Sequence, residues 1–147
     1  MNYYLSIDAG TSVIKAVLFN KNFELVCVVS VNNQVLTDHN GKSEIDMNKF
    51  WLLTCKCIKS CIIKSKIKSL NIDAVGITGN MVGAWPIDQN NEPLRNAILW
   101  NDTRSEDVFK SLIKKNKKIF ESIFNISGSI VQFGCTLPII KWLEVNE

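Results

Sequence analysis

The sequence predicts a mixed α/β fold, and three observations carry the prediction: three strand-like runs in succession, one long amphipathic helical stretch, and a further apolar run that closes on glycine before more helical sequence. Tyr3 to Asp8 is a short apolar run ending in an acid, and Val13 to Phe19 is rich in β-branched and aromatic residues. Ala9-Gly10-Thr11-Ser12 between them reads as a tight turn, where Gly10 can take backbone angles closed to other residues. Leu25 to Val31, after the polar Asn20-Lys21-Asn22, completes a three-stranded meander.

Asp46 can cap a helix running to about Lys68. Trp51, Cys55, Ile58 and Ile62 recur at helical spacing and are expected on the sheet, with Lys49, Lys56, Lys59 and Lys66 on the opposite side. Ile72 to Thr78 alternates and stops at Gly79, a fourth strand. Trp85 to Asp88 and Ala97 to Trp100 suggest short extended pieces around a turn at Asn90-Asn91-Glu92-Pro93. Ser105 to Asn116 and Lys118 to Asn125 read as helices. Thr136 to Glu147 opens another, with Ile140, Trp142 and Leu143 on its apolar side, and meets no capping signal, so the sequence reads as cut.

With 147 residues, 46% hydrophobic and 21% charged, the expectation is one globular domain with a real core. The net charge of +3 comes mainly from lysines at Lys56 to Lys68 and Lys110 to Lys118. No aromatic residues interleave with them, so they read as solvated helix faces and not as a nucleic-acid surface. Apolar runs such as Val26 to Val31 are too short for a membrane span, and the N-terminus has no secretory pattern, so a cytoplasmic address is expected. Cys27, Cys55, Cys57, Cys61 and Cys135 form neither an even disulfide set nor a CxxC pair and read as reduced thiols. Cys55, Cys57 and Cys61 share one helical stretch without a nearby His, which favours small buried residues over zinc ligands.

Three segments can carry chemistry. In Asp8-Ala9-Gly10-Thr11-Ser12, a carboxylate at a strand end can hold hydrated magnesium, while the turn offers backbone N–H groups and two hydroxyls to phosphate oxygens. An ordinary hairpin with a capping Asp is the competing reading. No GxxxxGK[ST] and no GxGxxG occurs, which excludes a P-loop or dinucleotide fold as the source of phosphate binding. Gly79-Asn80-Met81-Val82-Gly83 follows a strand, where ligands of open α/β sheets commonly bind, although a simple glycine-bounded loop has the same spacing. Trp100-Asn101-Asp102-Thr103-Arg104 combines a flat apolar wall with groups suited to sugar hydroxyls; alternatively Asp102 or Thr103 caps a helix and Arg104 pairs with Asp102.

These segments, in this order, resemble the FGGY carbohydrate kinases of the actin-like, ribonuclease H-like superfamily. The matching words are IDAGTSVIKAVLF (Ile7 to Phe19), GITGNMVGAWPID (Gly76 to Asp88), PLRNAILWNDTR (Pro93 to Arg104) and TLPIIKWLEVNE (Thr136 to Glu147). The resemblance implies ATP and magnesium as cofactors, with Asp8 organising the metal and the transferring phosphate. It places Gly10, Thr11, Ser12 and Lys15 around the nucleotide's phosphates. Asn80, Met81 and Val82 would line a sugar pocket whose wall Trp100 and Asp102 shape and Arg104 supports.

A Gln-Met-His run is usual in xylulokinase-like members; Asn80 and Val82 depart from it here, which puts xylulose in question. The first segment also resembles erythritol kinases, so a polyol remains open. The resemblance makes residues 1–147 an incomplete N-terminal domain. It sets no catalytic residue in this chain: the general base is expected beyond Glu147 and much of the nucleotide grip on a second domain. Homo-oligomerisation of the full-length protein is left open. Two further readings compete: a non-catalytic remnant that binds sugar or a partner protein, and an actin-like regulatory ATPase, against which Trp100 to Arg104 argues.

Overall fold

The computed structural model describes residues 2–116 and 118–147. Where length alone predicts a single core, the chain forms two compact units: Met1–Val35 with Met47–Asn80, and Leu36–Asp46 with Met81–Glu147.

The first unit is built on a four-stranded sheet in the order β3-β2-β1-β6. Strands β1 (Tyr3–Ala9), β2 (Val13–Asn20) and β3 (Leu25–Asn32) form the expected antiparallel meander, and β6 (Ile72–Gly79) lies parallel to β1. Alternation sets the core: Leu5 and Ile7 of β1 with Ile14, Ala16 and Leu18 of β2 are buried, and intervening positions such as Lys15 face outward. Helix α1 (Met47–Ser65) covers β2 and β3.

The buried face of α1 is the expected one only in part: Ile58 packs against the core, and Cys57 and Cys61 are buried as the small residues they read as. Thr54, Cys57 and Cys61 are buried, whereas Trp51 is 67% exposed. Small side chains let the helix approach closely: the Cys57 thiol donates to the Val29 carbonyl at 3.3 Å, and Cys61 points at the Cys27 carbonyl. Burial pushes the Cys57 thiol up and the Cys61 thiol to about 11, so both stay protonated.

The second unit holds two strands that the sequence does not announce, β4 (Leu36–Thr37) and β5 (Ser43–Ile45), because runs of two or three residues carry no readable alternation. They form an antiparallel sheet in the order β4-β5-β7 with β7 (Ala97–Ile98), which pairs Glu44 with Ile98 and Ile45 with Ala97. The extended piece expected at Trp85 to Asp88 is reduced to isolated bridges, Ala84 with Ile98 and Ile87 with Pro93. Helices α2 (Glu106–Lys115), α3 (Ile119–Ser127) and α4 (Thr136–Asn146) follow. On α4 it is Ile139 that packs with Ala84 and Ile98, with Leu143 against them, while the expected Ile140 is 46% exposed. No helix among the described residues is long and apolar enough to cross a membrane.

Candidate functional site

In the first unit the turn between β1 and β2 is built tightly. A Cβ on Gly10 would lie 2.6 Å from the Val13 carbonyl oxygen and 3.7 Å from Asp8 Oδ1, so only glycine keeps the turn closed with the carboxylate beside it. Asp8 and Lys15 are cross-strand neighbours, bringing an acid and a base to the mouth of the turn. Gly10→Ala is expected to destabilise the unit by about 1–3 kcal/mol, read as a lower midpoint in urea unfolding.

Two asparagines hold this turn from either side. Asn33, just after β3, donates its backbone N–H to the Ser12 carbonyl and its side-chain amide to the Thr11 carbonyl, both at 2.8 Å. Asn80, just after β6, donates its backbone N–H to the Ala9 carbonyl at 3.1 Å and its side-chain amide to Thr11 Oγ at 2.8 Å. In a trans peptide the C=O and the following N–H point oppositely, so fixing the Thr11 carbonyl toward Asn33 aims the Ser12 N–H the other way. The parallel pairing of Ala9 with Gly79 sets Asn80 at this place. The resemblance places Asn80 with the sugar; the structure ties it to the turn between β1 and β2. Asn33 is missed, its only signal being the polar Asn32-Asn33 pair at a strand end.

In the second unit the loop after Asn80 lies against the Trp100 segment. Ala84 and Ile98 exchange backbone hydrogen bonds at 2.8 Å in each direction, and Thr136 Oγ donates to the Gly83 carbonyl at 2.6 Å. A Cβ on Gly134 would collide with the Trp100 carbonyl, so glycine is required there. Val82 has φ +66°, a conformation costing a β-branched residue about 1–3 kcal/mol that only a constrained loop sustains. Three apolar side chains face solvent here, Met81 at 76%, Val82 at 50% and Trp100 at 56% exposed, next to exposed Asn101 and Thr103.

Asp102 and Arg104 face inward. Asp102 is 1% exposed, and its carboxylate accepts from Ser43 N–H at 2.8 Å, from Arg104 N–H at 3.0 Å and from the Arg104 guanidinium at 2.8 Å. Arg104 also reaches Glu44 Oε1 at 2.7 Å and lies over the Trp142 ring, 4.7 Å from its centroid. Glu44 is buried and receives Lys42, Arg95 and Asn96 in addition. Burial pushes its carboxyl up, but hydrogen bonds from Arg104, Asn96 and Lys42 outweigh that and hold it below the ordinary 4.5. A carboxyl with a depressed folded pKa stabilises above its unfolded value and loses that contribution as pH falls through the folded one. Thermal melts should therefore show stability falling below about pH 4.5, with a shallower fall in Glu44→Gln. Among the sequence candidates, then, Asp102 and Arg104 pair with each other, and Arg104 with Glu44, instead of facing solvent.

A family model described as the FGGY family of carbohydrate kinases, N-terminal domain, matches residues 3–147. The chain belongs to this family. FGGY relatives include the probable L-xylulose kinase of Haemophilus influenzae, 33% identical over 147 residues, and the xylulose kinase of Bacillus subtilis, 31% identical; both alignments cover all of this chain. The FGGY chain spans about 30% of their length. Among solved structures, a xyloylose kinase from Brucella ovis superposes with a TM-score of 0.87 at 30% identity, covering 99% of this chain and 30% of that one. Plasmodium falciparum glycerol kinase with ADP gives 0.80 at 27%, covering 100% and 29%. The fold of these FGGY neighbours is the ribonuclease H-like, actin-like one that the resemblance implies.

Proposed function

We propose that this FGGY domain serves ATP-dependent phosphorylation of a small sugar or polyol, with the Asp8 to Ser12 turn receiving the nucleotide's terminal phosphates. The observation carrying this reading is the double clamp on the turn by Asn33 and Asn80, which fixes the Thr11 and Ser12 carbonyls and the Thr11 hydroxyl. Family membership supplies the reaction class.

The residues fit magnesium bound through phosphate. Among the described residues no group of three or more His, Cys, Asp or Glu could enclose a metal. Magnesium commonly keeps several waters and binds one or two carboxylates plus substrate phosphates, and Asp8 beside the glycine cradle suits that mode. When bound, the ion supplies charge neutralisation at the transferring phosphoryl group. Asp8 would hold it, Gly10, Thr11 and Ser12 would bind phosphate oxygens, and Lys15 would add positive charge at the turn's mouth.

Met81, Val82 and Trp100 would face the sugar, with Asn80 next to the loop and Asp102 and Arg104 holding the Trp100 segment in place. Apolar side chains suit the C–H face of a polyhydroxylated ligand. The resemblance puts the general base beyond Glu147, and phosphoryl transfer needs base, hydroxyl and γ-phosphate aligned together. The 147 residues assayed by themselves are therefore expected to give little turnover.

The test is to fuse residues 1–147 to the rest of the Bacillus subtilis relative and assay pentuloses and polyols with ATP. Sugar-dependent ADP release supports the reading; a folded fusion that hydrolyses ATP only without regard to sugar contradicts it.

A further inference from the structure

β3 ends at Asn32, and Asn33 just beyond it holds the β1-β2 turn by two separable bonds. Its backbone N–H donates to the Ser12 carbonyl at 2.8 Å, extending the antiparallel pairing of Val13 with Asn32 by one step. That bond belongs to the main chain and survives any change of side chain other than to proline. The second bond depends on the residue type: the carboxamide reaches back 22 positions to donate to the Thr11 carbonyl at 2.8 Å.

The Thr11 carbonyl and the Ser12 N–H belong to one planar peptide, so fastening the carbonyl to Asn33 fixes the plane and turns the N–H away from Asn33. Among the described residues that N–H donates to no protein acceptor, and Ser12 is exposed. An exposed backbone donor held in one direction inside a turn is suited to an anion. Gly10, close before this peptide, offers little resistance to its rotation, so the carboxamide is what keeps the direction fixed. Asn33 lies outside the four segments that carry the family resemblance, which assigns it no role.

We propose that Asn33 is a positioning residue for the nucleotide's phosphates: its carboxamide keeps the Ser12 N–H aimed at a phosphate oxygen and so sets the affinity for nucleotide and not for sugar. This rests on the phosphate reading of the turn given above and adds a residue that acts on the ligand through Ser12.

Two measurements test it. In the fusion to the rest of the Bacillus subtilis relative, Asn33→Ala should raise KM for ATP about fivefold, as loss of one neutral hydrogen bond does, and leave KM for the sugar within about twofold. Asn33→Asp keeps the shape but sets an acceptor against the Thr11 carbonyl, so a rise of about tenfold or more is expected. In the lone chain, amide NMR with magnesium tripolyphosphate should give Asn33→Ala a Kd about fivefold weaker, with the Ser12 shift cut by more than about half and the Gly10 shift retained. Its melting temperature should stay within about 3 °C of wild type, because the backbone bond remains. A fusion that fails to fold or shows no sugar-dependent turnover leaves the decision to the titration, where the weaker Kd with a diminished Ser12 response upholds the proposal. Equal affinity and equal Ser12 response overturn it, as does a wild-type chain that binds no tripolyphosphate. An unchanged KM for ATP in an active fusion, or a sugar KM that rises in step with it, overturns it too. So does a melting temperature lowered by more than about 5 °C with the Ser12 response intact, which marks Asn33 as structural.

Discussion

Asp8→Ala in a family-length kinase carrying this domain is expected to lower kcat by about 1,000-fold while leaving KM for the sugar within about threefold. Asp8 stands at the end of β1, where the Gly10 turn folds back so closely that a Cβ would sit 2.6 Å from the Val13 carbonyl. On the proposed reading a carboxylate fixed there would act on charge that develops during transfer, so its loss should fall on the rate and not on sugar binding. Thr11→Ala removes one hydroxyl and its bond from Asn80, and about a tenfold loss is expected. Steady-state kinetics on both variants measure the contrast; kcat in Asp8→Ala within threefold of wild type removes Asp8 from the chemistry.

Asp102→Ala is expected to cost about 3–5 kcal/mol, the usual penalty for breaking a buried ion pair from one side. The loss strands the Ser43 and Arg104 backbone N–H groups and leaves a guanidinium with Glu44 as its carboxylate partner, at a position 1% exposed. For a chain of this size the melting temperature should fall by about 10 °C. Asp102→Asn keeps an acceptor of the same shape and should fall less. Differential scanning calorimetry decides, and a shift under about 2 °C for the alanine variant contradicts the structural role assigned to Asp102.

The β1-β2-β3 meander and β6 were legible because each has seven or eight residues, enough for alternation to show. The three expected helices after Trp100 were legible for the same reason, in period 3.6. Which face of α1 is buried was legible only in part, through Ile58, Cys57 and Cys61. Periodicity gave weight to Trp51 and Ile62, whereas the sheet accepts a helix that presents Thr54, Cys57 and Cys61, because small residues allow closer approach. β4 and β5 escaped because their pairing is decided by distant residues: β5 pairs with β7, some fifty positions on.

The candidate site was half legible. Asp8 to Ser12 and the Trp100 segment stand out as residue types in a turn or at a strand end. Their supports do not, since Asn33, Glu44 and Gly134 take meaning only from partners far along the chain: Thr11, Arg104 and Trp100 respectively. Pairing of Asp102 with Arg104 was weighed from spacing as one alternative, and contact with Ser43 and Arg104 is what burial requires of it.

The most direct measurement is a backbone-amide NMR titration of the chain with magnesium ATP and, in parallel, magnesium tripolyphosphate. Both ligands should move the Gly10, Thr11, Ser12 and Asn80 amides most, with matching patterns, and the response should vanish in Asp8→Ala. Shifts that map elsewhere while Gly10 to Ser12 stay still would contradict the assignment of this turn to the phosphates.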